Sequence, residues 1–161
     1  MILKTADLLY LFDFDGTIAG SDDWVNYIKN CKLSFQHLHI NPDSLDIRWC
    51  ILTSRPRMDH LFIKMVCRYY KLHPKQIIMG PTWRWKFKNI EQESNYKEQI
   101  IKSILDGSFD IKYANKEIKK VCYIDNNENI VKLINDNRGD YRYLAMSVAD
   151  LITKNYVQLL S

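Results

Sequence analysis

Glycine and proline are scarce in this chain, five and four residues among 161, and there is no low-complexity tract. That scarcity excludes collagen-like, linker-rich and broadly disordered architectures. Four cysteines (Cys31, Cys50, Cys67 and Cys122) lie scattered with no CxxC pair, which points away from a zinc site or a disulfide framework. Cys50 and Cys122 fall inside apolar runs and are expected as buried thiols of an intracellular protein. No apolar run is long enough to cross a bilayer, so no membrane partner is expected. The amino terminus carries one Lys, and Asp7 and Asp13 interrupt its apolar run, which makes a poor signal peptide.

What is present is the length of one domain and enough apolar residues, 47% of the chain, to build a core without staples. The stretch Leu8-Leu9-Tyr10-Leu11-Phe12 is apolar on both faces, as a strand covered on both sides of a parallel sheet must be. It ends in Asp13-Phe14-Asp15-Gly16-Thr17. Paired carboxylates at the end of a buried strand call for a compensating cation, and a divalent metal is the usual one.

Further strands are expected over residues 47–53, 76–79, 120–125 and 141–146. Helices are expected over 24–33, 58–72, 96–105 and 129–137, with a last one opening on the capping box of Ser147 and Asp150. In the 58–72 helix the apolar positions are Leu61, Phe62, Met65, Val66 and Tyr69, recurring at helical spacing. Strands alternating with helices predict a single doubly wound, Rossmann-like α/β domain with a mostly parallel five-stranded sheet. All parallel strands end on one edge, so Asp13, Asp15, Thr53 and Asp125, each closing an apolar run, are expected to converge there.

On these residues the sequence resembles the phosphatases of the haloacid dehalogenase superfamily. Asp13-Phe14-Asp15-Gly16-Thr17 matches the first motif of that family in full. Thr53 matches the second, Lys97 the third and Asp125 the fourth, in the family's order over roughly residues 8–130. Where many members carry a second acid in the fourth motif, this chain has Asn126 and Asn127. The resemblance implies Mg²⁺ held by Asp13, the Asp15 backbone carbonyl and Asp125. It further implies attack by Asp13 on phosphorus to form an aspartyl-phosphate, with Asp15 as general acid and then base. Thr53 and Lys97 would hold the phosphoryl oxygens, with Lys88 as the rival lysine. Thr17, Ser54, Arg55, Lys88 and Asn126 are expected on the substrate side.

Members of that family often carry a cap domain, but residues 16–46 and 81–95 are too short to build a sizeable one. An open site suits a macromolecular substrate. Between residues 55 and 88 stand nine Lys and Arg against Asp59 alone, in a chain whose net charge is only +4. Such a basic segment points to a polyanion, and DNA or RNA is the expected partner. Trp83-Arg84-Trp85-Lys86-Phe87-Lys88 alternates ring and cation, which predicts a strand with its rings packed into the core and its cations outward. The leading expectation is a Mg²⁺-dependent phosphatase of a nucleic-acid end. The alternatives are a phosphatase of phosphoproteins or small esters, and a binding module without turnover.

Overall fold

A computed structural model describes residues 7–19, 38–84, 87–112 and 118–153. Five strands form one parallel sheet: β1 (Leu8–Phe12), β2 (Trp49–Leu52), β3 (Ile77–Ile78), β4 (Lys120–Ile124) and β5 (Tyr143–Met146). Their order across the sheet is β3-β2-β1-β4-β5, every neighbouring pair parallel. The chain therefore steps outward from β1 in one direction and returns to continue from β1 in the other. The crevice between β1 and β4 is the point where the winding reverses, the place at which such sheets bind ligands.

Side chains of β1 alternate between the two faces, so it feeds two cores. Leu8, Tyr10 and Phe12 pack with Phe62, Ile63, Val66 and Cys67 of α1 (His60–Tyr70) and with Leu151 of α4 (Val148–Thr153). Leu9 and Leu11 pack with Ile101 and Ile104 of α2 (Ile90–Leu105) and with Ile130 and Ile134 of α3 (Glu128–Asp136). Helices cover both faces, which makes this a single doubly wound, Rossmann-like α/β domain. Cys50 and Cys122 are buried thiols, and burial pushes Cys50 up to about 12. No helix among the described residues is long and apolar enough to cross a membrane.

Three expectations need correction. The buried stripe of α1 is Phe62, Ile63, Val66 and Cys67, whereas Leu61, Met65 and Tyr69 are largely exposed. α2 begins at Ile90 rather than 96, because the Asn89 side chain caps it by accepting from the Gln92 N–H at 2.9 Å. Trp83 and Arg84 lie in bends, and Phe87 and Lys88 carry no regular structure, so the expected strand is not seen at those positions. Trp83 is 68% exposed rather than packed, while the Phe87 ring lies 5.3 Å from that of Tyr96. Residues 85 and 86, and the expected helix over 24–33, lie outside the described residues. The Ser147 cap does form, its hydroxyl accepting from the Asp150 N–H at 3.0 Å.

Candidate functional site

β1 and β4 run side by side in register, Phe12 opposite Ile124, so Asp13 and Asp125 leave the sheet at the same level. The Asp13 N–H still donates to the Ile124 carbonyl at 2.8 Å, which extends the ladder to the first carboxylate and fixes its position. Both carboxylates are buried, 5% and 1% exposed. Lys97, on the first half of α2 and 1% exposed, reaches between them. Its Nζ lies 3.1 Å from Asp13 Oδ1, 3.0 Å from Asp125 Oδ2 and 3.0 Å from Glu93 Oε1, one helical turn earlier. Burial opposes the charge on Lys97, but Asp13, Asp125 and Glu93 outweigh it and raise its pKa.

Asp125 has further partners. Tyr123, two residues before Asp125 on the same face of β4, donates its hydroxyl to Asp125 Oδ2 at 2.5 Å. The Asn127 N–H donates to Asp125 Oδ1 at 2.8 Å. Thr17 lies across the crevice from Asn126, accepting its N–H at 2.9 Å and donating to its side-chain oxygen at 3.2 Å. The turn that brings Thr17 back needs Gly16, whose φ is +73° and whose added Cβ would lie 2.5 Å from Asn126 Nδ2. Asn127 caps α3 through the Asn129 N–H at 3.1 Å. Both asparagines that replace the expected second acid thus have local duties.

Asp15 is gripped by Arg55, whose Nε and Nη2 donate to its two carboxylate oxygens at 2.8 and 2.7 Å. A forked pair of this kind fixes orientation as well as charge. Arg55 is itself pinned by Asp59 at 3.3 Å and by the faces of Phe62 and Phe14, 5.1 and 5.8 Å from its guanidinium carbon. Thr53 is fully buried at the end of β2, its hydroxyl accepting the Arg55 N–H at 3.2 Å. Ser54 donates to Glu93 at 2.6 Å.

The site is built of two sets of contacts that meet where Ser54 adjoins Arg55 in the chain: Asp13, Thr17, Lys97, Asp125, Asn126 and, through Glu93, Ser54 in one, and Asp15, Thr53 and Arg55 in the other. Lys88 is not brought into either. That side chain is exposed ahead of α2, and its backbone N–H donates to Gln92 at 3.1 Å. Glu93, Tyr123 and Asp59 are members that the sequence reading missed. The spacing of Glu93 and Lys97, four apart, was a usable signal for the first of them.

Charge does not balance here. Among the described residues, Asp13, Asp15, Asp59, Glu93 and Asp125 make ion pairs with only Lys97 and Arg55. Burial pushes the Asp13 carboxyl up to about 7; Lys97 pulls it down, and Asp125 and Asp15 push it up again. Among the described residues, Asp13 Oδ2, the oxygen not engaged by Lys97, has only a long 3.5 Å contact from Thr17. Among the described residues no three His, Cys, Asp or Glu side chains cluster as a ready metal cage. Two carboxylates with surplus negative charge and an under-engaged oxygen nevertheless fit Mg²⁺, which takes one or two carboxylates and completes its shell with water and substrate oxygens.

The fold and this cluster define an α/β domain of Rossmann-like winding with a charged constellation at its switch point. A scan of family models and searches of curated proteins and of solved structures find no match to this chain.

Proposed function

We propose that this chain is a Mg²⁺-dependent phosphatase that hydrolyses a phosphomonoester through an aspartyl-phosphate on Asp13, with a nucleic-acid end as the substrate. The observation that carries the reading is the buried Lys97 ammonium, held between Asp13 and Asp125 at the ends of adjacent strands. A structural ion pair would need one carboxylate; three around one ammonium leave charge for something else to meet. The ordered match to the haloacid dehalogenase motifs supports the same reading.

Mg²⁺ would be held by Asp13, Asp125 and the Asp15 backbone carbonyl, and when bound it supplies the positive charge that lets an anionic nucleophile meet an anionic ester. Asp13 attacks phosphorus, the P–O bond to the alcohol breaks, and the alkoxide takes a proton that Asp15, once clear of Arg55, has taken up from solvent. Water then attacks the aspartyl-phosphate, giving its proton to Asp15 and releasing inorganic phosphate. Lys97 and Thr53 stabilise the equatorial oxygens, and Lys97 keeps Asp13 aimed. Arg55 is the partner that Asp15 must leave in order to move a proton. A phosphoryl group drawing the guanidinium toward itself frees that carboxyl at the moment it is needed.

The basic segment from 55 to 88 supports a polyanionic substrate, and exposed Trp83 adds a ring available for stacking. The test is phosphate release with and without Mg²⁺ from a 3′-phosphorylated oligonucleotide, a phosphopeptide and a small aryl phosphate, with Asp13→Asn as control. The reading predicts turnover that needs both Mg²⁺ and Asp13, fastest on the oligonucleotide. Wild type as inactive as Asp13→Asn on all three would end it.

A further inference from the structure

A cleft of about 480 Å³ opens beside the edge strand β3, lined in part by Arg57, His60, Met79, Tyr96, Ile100 and Phe109. Its volume is in the range that takes a ligand-sized group, roughly 300–1,000 Å³. Two residues of its lining are close chain neighbours of the charged cluster. Tyr96 immediately precedes Lys97, and Arg57 follows Arg55 by two residues. Between them Gly80 donates its N–H to the Arg55 carbonyl at 2.8 Å, and an added Cβ there would sit 2.6 Å from the Ser54 carbonyl oxygen. That close approach ties the floor of the cleft to the loop that grips Asp15.

The lining has a particular chemistry. Ile78, Met79, Ile100 and Phe109 are apolar, and the Tyr96 ring is held in place by its hydroxyl donating to the Met79 carbonyl. At the rim Arg57 is exposed, with no ion pair among the described residues. His60 is half-buried, and burial followed by Lys64 lowers its pKa, so near neutrality it offers both a donor and an acceptor. The Arg57 N–H donates to the Thr82 carbonyl and the Met58 N–H to that of Trp83, which ties the backbone of that loop to the start of α1. Apolar and aromatic walls, a neutral imidazole and an unpaired guanidinium are what a flat heterocycle on an anionic backbone requires.

We propose that this cleft receives the terminal base of a nucleic acid whose phosphomonoester end lies at Asp13. The role of the neighbouring phosphate rests on the phosphatase reading; the base site itself does not.

Affinity is measured by fluorescence anisotropy on Asp13→Asn protein with Mg²⁺, so that turnover does not interfere. The probes are a 3′-phosphorylated oligonucleotide and the same oligonucleotide with an abasic last residue. The expected result is about tenfold tighter binding of the intact end, the lower part of what base stacking on aromatics gives. Adding Arg57→Ala or Phe109→Leu should shrink that preference to about twofold or less, with Arg57→Ala, on the surface, free of any effect on folding. Equal affinities for the two probes, or a preference that survives both substitutions, would overturn the proposal. Release of phosphate from an aryl phosphate by the wild-type chain reports separately on the phosphatase reading. Turnover without a base preference rejects the cleft alone, and a base preference without turnover rejects the phosphatase alone.

Discussion

Replacing Lys97 by Met is the sharpest perturbation of the cluster. Methionine fills much the same volume as the lysine stem, so packing changes little and the lost ammonium dominates. That ammonium is 1% exposed and contacts Asp13 and Asp125, whose side chains are 7% and 1% exposed, with Glu93 at 3.0 Å on a third side. Breaking a buried pair by removing one partner costs about 3–5 kcal/mol. In a domain of this size each kcal/mol moves Tm by about 2–4 °C, so the expected drop is roughly 6–20 °C at pH 8. The loss should depend on pH, with a definite sign. Burial already raises the Asp13 pKa from the ordinary 3.8 to about 7, and without Lys97 it rises further. Over that interval the folded state binds more protons than the unfolded one, so stability falls as pH rises. At pH 5 protonation relieves the repulsion, and the penalty for Lys97→Met should fall to less than about half its value at pH 8. Urea melts of both proteins at the two pH values measure it. A penalty below about 1 kcal/mol, or one that does not change with pH, would refute the buried cluster.

Three other outcomes are expected. Asp13→Asn should abolish turnover yet leave the metal-free protein as stable as wild type or more so at pH 8, because it removes a carboxylate that is hard to ionise there; a thermal melt reads this, and a large loss of Tm would contradict it. Tyr123→Phe should cost about 1.5–3 kcal/mol in urea melts, the worth of a hydrogen bond to a charged acceptor, and should weaken the Mg²⁺-induced rise in Tm by loosening Asp125. Gly16→Ala should cost about 1–2 kcal/mol for the left-handed backbone, with more from the clash against Asn126, whereas Gly107→Ala, also at positive φ (+75°) but with open space around it, should cost only the backbone share.

Much of this arrangement could be read from residue order. β1 and β4 are apolar runs cut short by carboxylates, a pattern that strand burial and charge desolvation make hard to mistake, and their parallel pairing brings Asp13 and Asp125 together. Lys97 is legible both as a position and as a lysine that pairs with the carboxylates Asp13 and Asp125; its third partner, Glu93, is not. α2 opens on the polar residues 91–95, of which Glu93 and Ser94 turn inward, so its start carries no apolar stripe to mark it. Seeing Asn89 as the cap would have put Glu93 and Lys97 one turn apart on the same helix. On α1 two adjacent stripes compete, Leu61, Met65 and Tyr69 against Ile63 and Cys67, with Phe62 and Val66 common to both. Periodicity reports that an apolar stripe exists, not which of two neighbours meets the sheet. The alternation at residues 83–88 gives no strand at 83, 84, 87 and 88 for a different reason. A strand needs an edge to pair with, and β3, only two residues long, is followed after Met79 by Gly80 and Pro81.

The most direct test of the account is whether Asp13 carries the phosphoryl group. Wild-type protein mixed with Mg²⁺ and an aryl phosphate, quenched in acid and digested, should yield the peptide containing Asp13 with a phosphoryl adduct that alkali or hydroxylamine removes. The account predicts that adduct in wild type, greatly reduced without Mg²⁺ and missing in Asp13→Asn. Turnover with no adduct at Asp13, or an adduct that persists in Asp13→Asn, would contradict it.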